Sequence, residues 1–346
     1  MVRSSRYFSI ILDCTPDTGH SAQISLVLRY VVLNTTSKKI EVKESFIAFN
    51  PIMDSTGKGI YTFVTEILKK LNLDIKNIRG QGFDNGANMK GQHVGLQKRI
   101  LDANPRALFV PSAAHTLNLT VNDASKVSDA TINFFNLVQE LYNFFSSSTN
   151  RWDILRKNVP GLSIKPVSET RWSSRIDSIK PLKLYLIKVC ESFLEVAEDN
   201  SIHIEARHKA SSLLTSVQKF QFICGIIIWH DVLLHINIVS KQMQSATINI
   251  KVCQTYLKIL VDHFQQYRSD QSFEEILVQA KEVALSLEIE EDFPPLPTVR
   301  RKFNPKLFDY EHRDETPHDP KTAFKICFFL KIIDQTLSSL KTDLTY

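Results

Sequence analysis

Two aspartates stand near the ends of predicted strands, and their carboxylates are the groups in this chain best suited to hold a metal ion. Asp13 follows the β-rich run 7–12, and Asp84 lies in the glycine-rich stretch 79–89. Strand ends that lie side by side in a sheet bring their side chains together, and two carboxylates placed so repel unless a cation lies between them. Divalent cations prefer such oxygen ligands and support phosphoryl transfer. The pattern therefore predicts a divalent-metal site, with ordinary Asp-Asn-Gly turn chemistry as the alternative at Asp84.

Three further residues carry groups that suit a nucleic acid. His115 opens a predicted helix, where a structural hydrogen-bonding role is the commoner one for histidine. Arg171 and Trp172 are adjacent and offer a cation for a phosphate and a flat surface for an unstacked base. The alternative is a half-buried tryptophan beside an exposed arginine, and the residues alone favour that alternative.

The composition is that of an ordinary soluble, core-forming chain. It has 346 residues, of which 43% are hydrophobic and 23% charged, and its net charge of +5 is compatible with nucleic acid but weak evidence for it. The five cysteines are scattered without a Cys-x-x-Cys pair, which favours a reducing, intracellular compartment. The most apolar stretch, 222–239, contains His230, Asp231 and His235 and is predicted to be a buried helix, not a membrane span.

Hydrophobic periodicity predicts an α/β region followed by helices. The predicted elements are strands at 7–12, 23–33 and 39–49, a helix opening at 55–58 with Asp54 or Ser55 as its cap, a strand at 75–83, a helix at 88–101, a strand at 107–110, and helices at 113–123 and 130–145. This order indicates a mixed sheet with helices on its faces.

Beyond about residue 180 the pattern predicts helices only. Two apolar stripes are predicted to face the core. They are Ile248, Val252, Tyr256, Ile259 and His263, and Ile326, Leu330, Ile333, Leu337 and Leu340. A proline-rich, basic segment at 294–302 is predicted to be an exposed linker.

Four motifs occur together in one order along the chain. They are Ile-Leu-Asp-Cys-Thr around Asp13, Gly-Phe-Asp-Asn-Gly-Ala-Asn-Met around Asp84, Ala-His-Thr-Leu-Asn-Leu around His115, and Thr-Arg-Trp at 170–172. Through them nearly the whole chain resembles the hAT superfamily of DNA transposases and, more closely, its transposase-derived relatives of the zinc finger MYM-type protein 1-like group. This resemblance implies a ribonuclease H-like mixed sheet flanked by helices in residues 1–180, interrupted by an all-α insertion domain in residues 181–346.

The same resemblance implies roles for the residues named above. Asp13 and Asp84 correspond to the first two catalytic acids of a DDE motif, which bind Mg²⁺ or Mn²⁺. His115 corresponds to a histidine near the active site, and Arg171 with Trp172 to the pair that stabilises a flipped base. The resemblance further implies a nuclear protein of domesticated transposon origin that binds DNA, protein or both, and the 222–239 stretch already speaks against a membrane partner.

Departures from the family pattern bear on activity. The third acid, a glutamate beyond the insertion, has no counterpart here, and the C-terminal dimerisation region around it is missing, so oligomerisation is left open. Ser112 stands where the family has a cysteine, and Asp17 falls beyond the motif position. Because metal geometry needs the third ligand, we expect a protein that is catalytically inactive alone and needs no cofactor.

Two other functions stay open at this point. A partner chain or an unrecognised glutamate could complete a metal-dependent DNA strand-transferase; the acidic candidates are Glu274, Glu275 and those of 288–291, which also fit solvated helix faces. Alternatively, the chain is a protein-interaction module that uses exposed apolar helical stripes.

Overall fold

The computed structural model of the chain describes residues 2–16, 22–91, 94–161, 164–168, 172–245, 248–293 and 319–343. It contains two units, Met1–Thr116 and Leu117–Thr345. Helices between residues 117 and 180 contribute to the same hydrophobic core as those that follow. The boundary between these units therefore lies earlier than residue 180, and the assignment of 181–346 as an insertion domain stays a prediction.

A five-stranded mixed sheet of order β3-β2-β1-β4-β5 forms the centre of the first unit. Its strands are β1 (Phe8–Pro16), β2 (Ala22–Leu33), β3 (Ile40–Pro51), β4 (Ile78–Phe83) and β5 (Leu108–Pro111). The first three form an antiparallel meander, and β4 and β5 add in parallel on the side of β1. The predicted fold class, a mixed sheet with helices followed by a helical region, is confirmed.

Strand β1 extends further than its sequence predicted. The sequence predicted a strand at 7–12 followed by Asp13, but the antiparallel pairing with β2 continues through Asp13–Ser25 to Pro16–Ala22. The parallel pairing with β4, in contrast, ends at Ile11–Gly82. Asp13 therefore lies beyond the end of the β1–β4 ladder while it is still held in the β1–β2 ladder.

Short helices accompany the sheet in sequence. They are α1 (Val2–Ser5), α2 (Gly57–Lys70), α3 (Ala87–Lys90) and α4 (Leu96–Ala103), with a 3₁₀ turn at Ile75–Asn77 and α5 (Ala113–Ser125) after β5. The N-cap of α2 is Thr56, whose Oγ1 accepts a hydrogen bond from the Gly59 amide at 3.2 Å; neither predicted cap was right. The predicted helix 88–101 is instead two helices, because Gly91 and Gly95 lie between them and glycine disfavours a helix interior.

The second unit is built from helices in its described part. They are α6 (Asp129–Ser146), α7 (Thr149–Asn158), α8 (Trp172–Glu198), α9 (Ile204–Val217), α10 (Phe220–Met243), α11 (Ile250–Tyr267), α12 (Asp270–Ser286), α13 (Pro320–Phe324), a π-helical turn (Lys325–Leu330) and α14 (Lys331–Asp343). By length and composition, α10 could cross a membrane, yet 67% of its most apolar window is buried within the protein. The prediction of a buried helix at 222–239 is confirmed.

The two predicted apolar stripes differ in how far they are buried. In the first, Val252 and Ile259 are exposed, whereas Ile248, Tyr256 and His263 are half-buried, so that stripe was right only in part. The fully buried residues of α11 are Leu257, Leu260 and Phe264. In the last helix, the predicted residues Ile333, Leu337 and Leu340 are buried but Ile326 is exposed. The π-helical turn explains the exception, because its wider turn rotates the apolar face. The linker 294–302 lies outside the described residues.

Candidate functional site

Asp13 and Asp84 both lie just beyond the end of the β1–β4 ladder. Each is two residues past Ile11–Gly82, the last pair of that ladder. Asp13 is still on β1, where its side chain shares the face of Ile11, opposite the buried side chain of Leu12, whereas Asp84 is the first residue of the turn after β4. Neighbouring strands lie about 4.8 Å apart. The structure thus places the two aspartates at the ends of neighbouring paired strands, and a shared metal ion between their carboxylates stays a prediction.

The carboxylate of Asp84 is fixed by the turn that follows β4. Its Oδ1 accepts a hydrogen bond from the Gly86 amide at 3.0 Å, which is a local Asx turn. A Cβ atom at Gly86 would come within 3.1 Å of this Oδ1 and 2.8 Å of Asn88 Oδ1. A side chain at 86 would therefore displace these two side-chain oxygens from their present positions. Asn88 is itself held by its Nδ2, which donates to the Ser55 carbonyl at 3.0 Å.

The loop after Asp84 is tied to the start of α5. Asn85 Nδ2 donates to Thr116 Oγ1 at 3.0 Å, and the Ser112 amide donates to the Phe83 carbonyl at 3.0 Å. His115 lies in the first turn of this helix. Its side chain is half-buried. The structure places His115 at the same carboxyl end of the parallel strands as Asp84. Its contact with DNA stays a prediction.

The pKa of the Cys14 thiol depends on the charges of this site. Burial raises the pKa of the Cys14 thiol to about 11, with further contributions from the carboxylates of Asp84 and then Asp13. Both carboxylates therefore act on one thiol, which supports their proximity. The thiol stays protonated and neutral at physiological pH, so Cys14 adds no negative charge to the pair.

The residues present fit a divalent cation in part. Two carboxylates provide hard oxygen ligands of the kind that Mg²⁺ and Mn²⁺ prefer, and a cation would relieve their mutual repulsion. Within the described ranges, however, no three His, Cys, Asp or Glu side chains come together as a metal-holding group. Asp13 and Asp84 would hold the ion, and the ion would supply Lewis-acid activation of a phosphodiester.

The glutamates considered as a hidden third acid belong to the helical unit. Glu274 and Glu275 lie exposed on α12, where Glu274 pairs with Lys321 and Glu275 accepts from Gln271, which fits a solvated helix face. The glutamates of 288–291 follow the end of α12 and so are not on a helix; Glu291 pairs with Lys281 at 2.7 Å. Each paired glutamate already has an exposed partner.

Two of the predicted DNA-contacting groups cannot be placed. Arg171 and the side chain of Trp172 lie outside the described residues, although the backbone of Trp172 begins α8. Their role against a flipped base stays a prediction.

Three polar residues of the site were quoted in the motifs but assigned no role from the sequence. Asn85 has a buried Oδ1 without a hydrogen-bond partner among the described residues. Asn88 Oδ1 lies near the Gly86 position, as Asp84 Oδ1 does. The carboxylates of Asp84 and Asp13 both raise the pKa of the Cys14 thiol. The signal was present in the runs Asp-Cys and Asp-Asn-Gly-Ala-Asn, but these residues are equally common in plain turns.

One part of the chain matches a known protein family, and a larger part is distantly similar to two known proteins. Residues 3–95 match the family described as DUF4371, ZMYM1/FAM200, RNase-like domain. The chain is 23% identical over 262 residues to the "52 kDa repressor of the inhibitor of the protein kinase" of Homo sapiens, an alignment that covers 72% of this chain and 33% of that protein. The Mus musculus protein of the same name is 22% identical over 265 residues, covering 72% and 34%. The chain thus spans about a third of the length of the curated relatives it matches.

The RNase-like match agrees with the mixed sheet and includes both acids. Asp13 and Asp84 lie inside the matched range 3–95, whereas His115, Arg171 and Trp172 lie beyond it. The similarity therefore supports the acid pair as part of an RNase-like domain.

Proposed function

We propose that this chain is a hAT-like, transposase-derived nuclear protein that binds DNA or protein and does not cut DNA on its own. One observation carries the proposal. Asp13 and Asp84 follow the paired ends of β1 and β4, two inner strands of an RNase-like sheet, yet no third acid joins them among the described residues. This is the arrangement expected of a metal-dependent nuclease fold that has kept its metal-facing edge but lacks the full ligand set.

That no third acid joins them among the described residues matters because of how phosphoryl transfer works. In-line phosphoryl transfer requires the ion to be held in fixed geometry against both the attacking and the leaving oxygen. A misplacement of about 1 Å lowers the rate roughly a hundredfold. Two carboxylates, one of them already accepting from Gly86, hold a cation weakly and leave its position loose. We therefore expect the acid pair to bind a cation without catalysing DNA cleavage.

The distant relatives support a nuclear setting. Both are named as repressors, a function that does not require DNA cleavage. Repression by contact with DNA or with another protein is compatible with an RNase-like domain that no longer performs its chemistry. We therefore assign this chain a binding role of the same kind.

Cleavage of DNA tests the proposal directly. Purified protein is incubated with Mn²⁺ and a hairpin that carries a terminal inverted repeat, beside an Asp84→Asn variant. We expect no cleavage by either protein, with DNA binding retained by both. Cleavage that the Asp84→Asn substitution abolishes would overturn the proposal in favour of an active strand-transferase with a third acid from elsewhere.

A second candidate function, a protein-interaction module, is favoured by an exposed face of the sheet. The face is made by paired residues of β2 and β3, with Leu33 opposite Ile40 and Val31 opposite Val42. Six of its apolar side chains are each at least half exposed. They are Val31, Leu33, Ile40, Val42, Phe46 and Phe49. Exposed apolar surface marks protein-interaction sites in many proteins, and on this face the Arg29–Glu44 ion pair lies between Val31–Val42 and Phe46.

Sedimentation distinguishes this second function. If this sheet face associates with another copy of the chain, a Phe46→Ser/Phe49→Ser double variant should shift the protein to a smaller species and bind less of a hydrophobic dye. A Leu285→Ser variant is the matched control, because Leu285 is 81% exposed but lies on α12. Equal sedimentation of wild type and double variant would rule out self-association through this face.

A further inference from the structure

The opposite end of the sheet from the acid pair carries a cluster of cations. Arg6 precedes β1, Arg79 lies at the start of β4, and Arg106 precedes β5, so all three stand where the parallel strands begin. Phe8 and Asp13 are five residues apart on β1, which separates the two ends by about 17 Å at roughly 3.3 Å per residue. We call Arg6, Tyr7, Lys76, Arg79 and Arg106 the basic end of the sheet.

Main-chain carbonyls fix two of these guanidinium groups. Arg79 Nη1 donates to the Lys76 carbonyl at 2.9 Å and to the Ile78 carbonyl at 2.8 Å. Arg106 Nη2 donates to the same Lys76 carbonyl at 3.3 Å. Two positive charges thus share one acceptor, and each guanidinium carries five N–H donors, more than these bonds use. Like charges held this close favour an anion between or across them.

The ring of Tyr7 holds the third cation near the other two. The guanidinium carbon of Arg79 lies 4.0 Å from the ring centroid, and that of Arg6 lies 5.3 Å from it. Tyr7 is 43% exposed, so the ring and its two arginines form part of the surface. Arg6 has a positive φ of 58°, a left-handed backbone that is uncommon outside glycine and asparagine.

Carboxylates do not neutralise this cluster in the described part of the unit. The ion pairs found there join Arg29 to Glu44, Lys43 to Glu41, and Lys98 to Asp102, and none involves the basic end. Asp74, the nearest acid along the chain, accepts from the Lys76 amide at 2.9 Å as the cap of the 3₁₀ turn.

We infer that the basic end binds the phosphate backbone of nucleic acid, an inference that rests on the proposed DNA-binding function and names a surface for it. Planar guanidinium groups fit phosphate oxygens with paired hydrogen bonds. Cations anchored by the backbone lose little side-chain entropy on binding, which suits a repeating polyanion. Such binding includes no base-edge recognition, so it is independent of sequence and falls with salt.

The test is an Arg79→Gln/Arg106→Gln variant of the full chain. Anisotropy of labelled duplex and single-stranded DNA is measured between about 50 and 200 mM salt. We expect the variant to bind both at least about tenfold more weakly, and the slope of log affinity against log salt to fall by about 1 for each phosphate that is no longer neutralised. A charge-matched control, Lys98→Gln/Arg99→Gln, removes two cations of α4 in the same unit and should leave binding unchanged.

Two further variants keep the inference falsifiable. Arg79→Lys/Arg106→Lys retains charge and should retain most of the salt slope. Arg6→Gln alters only the stacking cation and tests the cluster if the double variant does not fold. Unchanged DNA binding in both Gln variants would overturn the inference. The inference would also be overturned if the Arg79→Gln/Arg106→Gln variant lost binding to phosphatidylserine vesicles but still bound DNA as the wild type does.

The acid pair provides an independent readout. Mn²⁺ binding at Asp13 and Asp84 should be the same in the Arg79→Gln/Arg106→Gln variant as in the wild type, because the two ends of the sheet are far apart. Absence of DNA binding in the wild type would overturn this inference and the DNA part of the proposed function, whereas the Mn²⁺ titration would still test the acid pair.

Discussion

Asp13 and Asp84 each follow the Ile11–Gly82 pair, the last of the parallel β1–β4 ladder, by two residues. β1 contributes its acid from within an antiparallel ladder with β2, whereas β4 contributes its acid from the turn that follows the strand. One carboxylate is thus held by strand pairing and the other by the Gly86 amide. The pairing of the strands, not contact between the acids, makes them neighbours.

The reactivity of Cys14 should report the charge of the acid pair. Its pKa of about 11, against an ordinary 9.0, leaves roughly a hundred times less thiolate at pH 8 than an unperturbed thiol has. Replacement of Asp84 by Asn removes the larger of the two carboxylate contributions, so alkylation of Cys14 by iodoacetamide should become faster. Asp13→Asn should have a smaller effect. Mass spectrometry of the Cys14 peptide measures the rate.

Exposed Cys327 of the helical unit is the internal control for that experiment. Its alkylation rate should not change in either variant. Equal Cys14 rates in the wild type and Asp84→Asn would contradict the proposed field of the acid pair.

Alanine should be tolerated less well at position 86 than at position 82. In Gly86→Ala, the new methyl group would press on Asp84 Oδ1 and Asn88 Oδ1 at 3.1 and 2.8 Å. We expect a loss on the order of 1 kcal/mol in the free energy of unfolding, because these side-chain oxygens can move aside at the cost of the Asp84 turn. In Gly82→Ala the methyl group would meet no atom closer than 3.7 Å, so this variant is the control. Urea titration followed by circular dichroism compares the two, and equal stabilities would refute the steric argument.

The stability of the helical unit should decrease in mild acid because of His263. Its ring stacks on His235 at 3.7 Å, and its Nε2 is buried without a partner among the described residues. Burial, then His235, lowers the pKa of His263 below the ordinary 6.5, partly offset by Asp231. A histidine with a depressed pKa contributes stability that is fully present above about pH 6.5 and is lost as the pH falls below it.

Tryptophan fluorescence can follow that loss, since the three tryptophans of the chain, Trp152, Trp172 and Trp229, all belong to this unit. The urea midpoint should be lower at about pH 5.5 than at about pH 7.5. His263→Phe, which keeps an aromatic ring against His235, should reduce this pH dependence. An unchanged pH dependence in that variant would assign the effect to other groups.

Local patterns were enough to predict the sheet and its acids. The β-rich run 7–12 and the glycine-rich run before Asp84 identified both strands, because each signal depends on residues close in sequence. The register that aligns Asp13 with Asp84 depends on pairing between strands distant in sequence, so only their convergence, not its geometry, could be predicted. The effect of both carboxylates on Cys14 depends on the same pairing.

Helix faces and helix breaks were harder to predict. The buried side of α11 is set by its neighbours in the fold: Leu257, Leu260 and Phe264 pack inward, although Val252 and Ile259 have the same helical spacing. The π-helical turn before α14 rotates one face in a way that a fixed helical period does not show. The basic end escaped prediction because Arg6, Arg79 and Arg106 are far apart in sequence and meet only when the parallel strands align.

Binding of Mn²⁺, followed by electron paramagnetic resonance, tests most directly whether Asp13 and Asp84 form a two-acid site. We predict weak, saturable binding with a dissociation constant on the order of 10⁻³ M, lost in Asp13→Asn and in Asp84→Asn. Asp102→Asn is the control, because Asp102 is exposed and pairs with Lys98 on α4. Binding that survives both substitutions would contradict the site, and micromolar affinity in the wild type would contradict a site made of these two acids alone.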